Sequence, residues 1–198
     1  KVDELLSLQQ PLSDGPEHDE LLFITIHQVY ELWFQQILHE LAALQPALEA
    51  GDTHRSLALL GRVRSIMKTC VQQIDVLETM TPLQFQSFRA RLSSASGFQS
   101  AQFRELEAVL GRRDHAGADA AQGSGMKMAE HLVPGSSARV RVEAAMSRPS
   151  VWDSAMRYCD QRGHAMPADA LTRDVTTRWE PREDVQAVLV TLHHSDPE

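Results

Sequence analysis

Residues 21–48 read LLFITIHQVYELWFQQILHELAALQPAL, and in the first half of this run apolar residues spread nearly all round a helical wheel. A strand reading of Leu21–Ile26 fails because the apolar pattern continues far past strand length. An all-round apolar helix is one that is buried on most sides. The chain is therefore expected to fold around one long helix beginning near Glu20.

The rest of the pattern agrees with an all-α fold. Gly51-Asp52-Thr53 breaks the chain, and Leu57, Leu60, Val63, Met67, Cys70, Ile74 and Leu77 then recur at three- and four-residue spacing, a stripe of helical-bundle type. Thr81-Pro82-Leu83-Gln84 reads as a helix start, with Thr81 capping, Pro82 first in the helix and Gln84 closing a capping box. The short helix that follows presents Phe85, Phe88, Arg89 and Leu92, and ends in the small-residue turn Ser93-Ser94-Ala95-Ser96-Gly97. Phe103, Leu106 and Leu110 lie on a further helix that stops at Gly111. Residues 112–125 are rich in Gly, Ala and Asp and aperiodic, which predicts a flexible loop. Shorter helices are expected over 136–147, 150–162 and 181–195, with Ser150 as a cap, Gly163 as a stop and Pro181 in a first turn. No hairpin signal, alternating strand run or internal repeat is present. The expectation is a single helical domain over 1–198, incomplete at both ends, with no β-sheet.

Charge and cysteines narrow the partners. With 19 Lys+Arg against 27 Asp+Glu the formal net charge is −8, which argues against a nucleic-acid or anionic-membrane surface. No apolar run approaches the ~18–20 residues of a membrane span. Cys70 and Cys159 form neither a zinc spacing nor a disulfide framework, so a reducing compartment, the cytoplasm, is the expected one.

Three features carry chemistry. His27 has Phe23, Tyr30 and Phe34 at −4, +3 and +7, so its imidazole shares a helix face with three aromatics. It reads either as a core histidine satisfied by one hydrogen bond, or as a histidine meeting one polar atom of a flat apolar ligand. Arg89 follows Phe85 by one helical turn. It reads either as a surface arginine lying over that ring or as a guanidinium that pairs with a carboxylate. The turn Ser94-Ala95-Ser96-Gly97-Phe98 is small enough for backbone to approach a planar ligand. Metal chemistry has no comparable support. His39 beside Glu40, His54, His115, His131, His164 and the His193-His194 pair show no ligand spacing, and the paired Glu-x-x-His motifs of a di-iron bundle are missing. Glu31, one turn from His27, is expected to answer a nearby donor rather than a metal.

Three blocks of this sequence resemble the tryptophan 2,3-dioxygenase family. They are His18-Asp19-Glu20-Leu21-Leu22-Phe23-Ile24-Thr25-Ile26-His27 with its continuation to Phe34; Leu77-Glu78-Thr79-Met80-Thr81-Pro82 with Phe85 and Arg89; and Ser96-Gly97-Phe98-Gln99-Ser100 with Gln102, Phe103 and Arg104. The likeness is close over 3–111 and looser over 136–170, where Arg162-Gly163-His164-Ala165-Met166-Pro167 resembles a segment of bacterial members.

The resemblance implies a helical b-type haem enzyme, a homotetramer, that uses ferrous haem and dioxygen to cleave the indole C2–C3 bond of L-tryptophan to N-formylkynurenine. It implies that His27 is the distal histidine facing the indole N–H, that Phe23 and Phe85 pack the indole, and that Arg89 pairs with the substrate carboxylate. Ile24, Thr25 and Ile26 join the substrate-binding stretch on the same basis. Ser96 and Gly97 are expected to line the haem pocket, with Phe103 and Arg104 near the haem. The family's proximal histidine, with the Gly/Thr/Ser-rich loop after it, matches nothing in these residues and is expected beyond residue 198. The family's N-terminal tyrosine segment would precede Lys1. Two other activities remain open at this point: a biosynthetic relative that inserts one oxygen atom into a modified tryptophan to give an oxindole, and a non-catalytic helical scaffold.

Overall fold

The computed structural model describes residues 1–15, 17–92, 100–113, 129–130 and 132–195. The turn 94–98, with Ser96 and Gly97, and most of the 112–125 segment lie outside the described residues, as do His115 and His131.

Every regular element among the described residues is helical: α1 (Val2–Leu6), α2 (His18–Glu49), α3 (Thr53–Leu77), α4 (Pro82–Arg89), a 3-10 turn (Ala90–Leu92), α5 (Ala101–Leu110), α6 (Ser137–Met146), α7 (Val151–Gln161), α8 (Ala168–Leu171) and α9 (Glu183–Ser195). None of these helices is long and apolar enough to cross a membrane. The expected helix starts are present. Thr81 and Gln84 form the reciprocal capping box with Pro82 behind the cap, and Ser150 and Asp153 form another at the head of α7. Gly163, at φ +91, follows Arg162, the C-cap of α7, in a backbone conformation that favours glycine.

With 32 residues, α2 runs about 48 Å and organises the rest. Helices α3, α4, α5 and α7 all pack on it. Its second half is buried, through Ile37, Glu40, Leu41, Leu44, Ala47 and Leu48. Its first half is not buried on most sides, as the apolar pattern implied: only Glu20 and Ile26 are buried there, and Leu21 and Leu32 stand exposed. The reason is placement. Helix α7 bonds to the far end of α2, through Gln45 to the Pro149 carbonyl and Ser154 to Glu49, whereas α4 and the segment after α1 cover only part of the near end.

Helix α3 also departs from expectation. The stripe read from sequence straddles two adjacent heptad seams. Ile66 and Cys70 are buried and Leu59 and Val63 half-buried toward α2, while Leu57, Leu60, Met67, Val71 and Ile74 face outward. Both seams have the right spacing, so spacing alone does not choose between them. Tyr30 settles the register by donating its hydroxyl to the Cys70 carbonyl at 2.6 Å.

A second, smaller core of Met156, Met166, Ala170 and Val185 joins α7, α8 and α9, with Trp152 and Trp179 packed edge to face beside it. Arg113 links the two cores. It belongs to the segment expected to be a loop, yet it is only 3% exposed and donates to the carbonyls of Ala108, Arg112, Arg148 and Val175. Next to it, the buried Asp153 carboxylate accepts from Ser150 and from Arg173.

Candidate functional site

The site is built where α4 crosses the first half of α2. Phe23 and His27, one helical turn apart on α2, stack with ring centroids 4.2 Å apart. From α4, Phe85 approaches Phe23 at 5.4 Å, and the fully buried Phe88 meets Phe23 at 5.7 Å and Phe85 at 5.6 Å. Phe88 is the anchor that seats α4, and Phe85 is left half-buried at the edge of the cluster. The Arg89 guanidinium lies over the Phe85 ring, 5.6 Å from its centroid. His27, Phe23, Phe85 and Arg89 thus form one continuous row, with an imidazole at one end and a guanidinium at the other.

The imidazole has a defined polarity. His27 Nδ1 is 2.8 Å from the Phe23 carbonyl oxygen. A carbonyl only accepts, so Nδ1 carries the proton and donates it, which leaves Nε2 of the neutral ring as an acceptor. The two sequence readings of His27 are therefore compatible: one nitrogen is satisfied by backbone, and the other is available to a donor.

Arg89 is exposed and has no carboxylate partner among the described residues. A guanidinium is a planar fork of N–H donors that matches a carboxylate. Of the remaining residues expected at the site, Ile26 is buried, Ile24 half-buried and Thr25 exposed.

Phe103 and Arg104 lie further along α2. Phe103 meets Phe34 at 5.3 Å, and the Arg104 guanidinium stands 5.1 Å from the Phe103 centroid while bonding Glu107. Gln102 fixes α5 here by donating to both the Glu31 carbonyl and the Glu31 carboxylate. Glu31 does answer a donor, as expected.

The class the fold defines is an all-helical protein that gathers an imidazole, three phenylalanine rings and a guanidinium without a carboxylate partner among the described residues into one cluster. The comparisons with known proteins give the lineage. The family model described as Tryptophan 2,3-dioxygenase matches residues 1–197. A tryptophan 2,3-dioxygenase from Herpetosiphon aurantiacus is 49% identical over 197 residues, which is 100% of this chain and 71% of the relative. One from Anaeromyxobacter sp. strain K is 50% identical over 198 residues, covering 100% and 69%. One from Rhodococcus jostii is 36% identical over 197 residues, covering 100% and 66%. The chain belongs to the tryptophan 2,3-dioxygenase family.

That family is haem-dependent. Among the described residues, the half-buried rings of Phe34 and Phe103 meet with their planes tilted by 42°, apolar surface of the kind such a group packs against, and His27 has its Nδ1 committed to backbone. Among the described residues no group of three His, Cys, Asp or Glu side chains is placed to hold a metal ion. His18, His39, His54, His193 and His194 are exposed.

Two contributions escaped the sequence reading. Phe88 is legible in sequence only as one of the residues the short helix presents, but it also completes the aromatic cluster. The Phe23 backbone carbonyl, which orients the imidazole, has no signature in sequence, because every helical residue offers one.

Proposed function

We propose that this chain, as one helical domain over 1–198, carries the substrate pocket of a haem dioxygenase that cleaves the indole C2–C3 bond of L-tryptophan to give N-formylkynurenine. The observation that supports it most is the row His27, Phe23, Phe85, Arg89 on a chain of this family. The family resemblance assigns Phe103 and Arg104, with Ser96 and Gly97 outside the described residues, as the residues that would hold haem, which when bound would supply a ferrous iron able to activate dioxygen. The protein's own residues bind, orient and shield.

Phe23 and Phe85 pack the indole. Burying about 200 Å² of an aromatic ligand at ~25 cal/mol per Å² contributes roughly 5 kcal/mol, whereas one neutral hydrogen bond contributes only about 1 kcal/mol. Packing therefore supplies the affinity, and the polar ends supply orientation. His27 Nε2 accepts the indole N–H and holds that proton in place. Arg89 forks onto the substrate carboxylate and fixes the opposite end, so the ring cannot rotate in its slot. A homotetramer in the cytoplasm completes the reading.

The test uses the full-length protein with haem, L-tryptophan and isotopically labelled dioxygen. N-formylkynurenine absorbance with two labelled oxygen atoms gained is the expected result. A product with one oxygen atom gained would instead establish the mono-oxygenating alternative, and no product would leave the scaffold reading.

A further inference from the structure

The segment between α1 and α2 is bonded to both helices of the aromatic cluster. Toward α2, Gln28 donates to the Leu8 carbonyl at 3.0 Å and accepts from Gln9 at 2.5 Å. Toward α4 and the turn after it, Ser87 donates to Glu17 at 2.5 Å, and Arg91 pairs with Asp14 at 2.9 Å. Beneath it, in the first turn of α2, lies Glu20, which is 0% exposed. The Leu12 N–H donates to one of its carboxylate oxygens at 2.7 Å and the Ser13 N–H to the other at 3.2 Å.

A carboxylate with no solvent contact is tolerated only when its oxygens are satisfied. Burial works to raise the Glu20 pKa, but the Leu12 and Ser13 donors and the nearby Arg91 outweigh it and hold the group below its ordinary value. The strap cannot lift from α2 without breaking both N–H bonds to that carboxylate. It is therefore fixed to α2 at one edge and grips α4 at the other.

We propose that Glu20 is a positioning residue: through the strap it sets the seat of α4 on α2, and so the spacing between the His27 acceptor and the Arg89 guanidinium. The substrate consequence rests on the tryptophan reading above; the mechanical coupling does not.

The experiment compares wild-type full-length, haem-loaded protein with Glu20→Gln. It reads the Kd for L-tryptophan, the Kd for 3-methylindole (the same ring without the amino-acid end), and amide hydrogen exchange over 9–15 and 82–92. The variant should exchange faster in both segments and weaken both ligands, because α4 carries Phe85 as well as Arg89, with tryptophan losing about tenfold more than 3-methylindole because it alone uses the guanidinium. A paired variant, Ser87→Ala with Arg91→Ala, cuts the strap from α4 while leaving Glu20 and its two donors in place. It should shift the ratio of the two Kd values in the same direction, and it decides the matter if Glu20→Gln does not fold. Equal losses for both ligands, or faster exchange at 9–15 with an unchanged ratio, overturn the proposal. If wild type binds neither ligand, the tryptophan reading fails, and exchange at 82–92 alone then decides: faster supports the coupling, unchanged overturns it.

Discussion

At the scale of single residues, the proposed function assigns the two ends of one ligand to Arg89 and His27. A charge-assisted pair contributes about 1.5–3 kcal/mol when shielded, and solvent around the exposed Arg89 lowers that figure. Arg89→Ala is accordingly expected to weaken L-tryptophan by about tenfold and leave 3-methylindole nearly unchanged, as read by titration calorimetry. Equal losses would remove the carboxylate clamp. His27→Ala should keep the haem Soret band, because Nδ1 of this imidazole is committed to the Phe23 carbonyl and the proposed function assigns Nε2 to the substrate rather than to iron. It should also erode the preference for tryptophan over its N1-methyl analogue, which has no N–H to offer. Both side chains stand out in sequence, since a histidine among aromatics and an arginine one turn from a phenylalanine are unusual on apolar faces. What sequence cannot supply is the direction of the imidazole, which depends on a main-chain oxygen common to all residues.

Helix α4 is the element on which the pocket depends. Eight residues are too few for a helix to persist alone, so its cap and its buried Phe88 hold it. Thr81→Ala removes the bond to the Gln84 N–H and should cost about 1 kcal/mol. The loss is expected to be local: tryptophan affinity should fall several-fold while the urea midpoint of the whole protein moves little. A full global shift with unchanged affinity would contradict this. The start of α4 was legible because a capping box is complete within four residues. The facing of α3 was not, because its two apolar seams are neighbours and only contact with α2 distinguishes them. The strap was equally hidden, since Glu20 looks like any acidic residue of a first helical turn.

Over the whole molecule, two cores are joined by the ion cluster of Arg113, Asp153 and Arg173. Burial works to raise the Asp153 pKa, but Ser150 and Arg173 overcome it and hold the carboxyl below its ordinary value of 3.8. A carboxyl depressed in the folded state contributes stability that is present above its unfolded pKa and is lost as pH falls through the folded one. The urea midpoint should therefore decline below about pH 4, and Asp153→Asn should lower the neutral-pH stability by roughly 3 kcal/mol while flattening that acid limb. An acid limb unchanged in the variant would assign it to other carboxylates. Arg113 shows why this joint escaped the sequence: its neighbours are Gly, Ala and Asp, a composition that predicts mobility, and its partners are main-chain carbonyls from distant positions. The long helix α2 separates two tasks along its length, with the aromatic row of the proposed site on its first half and the larger core closed over its second. On the proposed function, residues near the head of that helix can be exchanged to re-specify the ligand while the architecture that keeps the protein folded goes unedited.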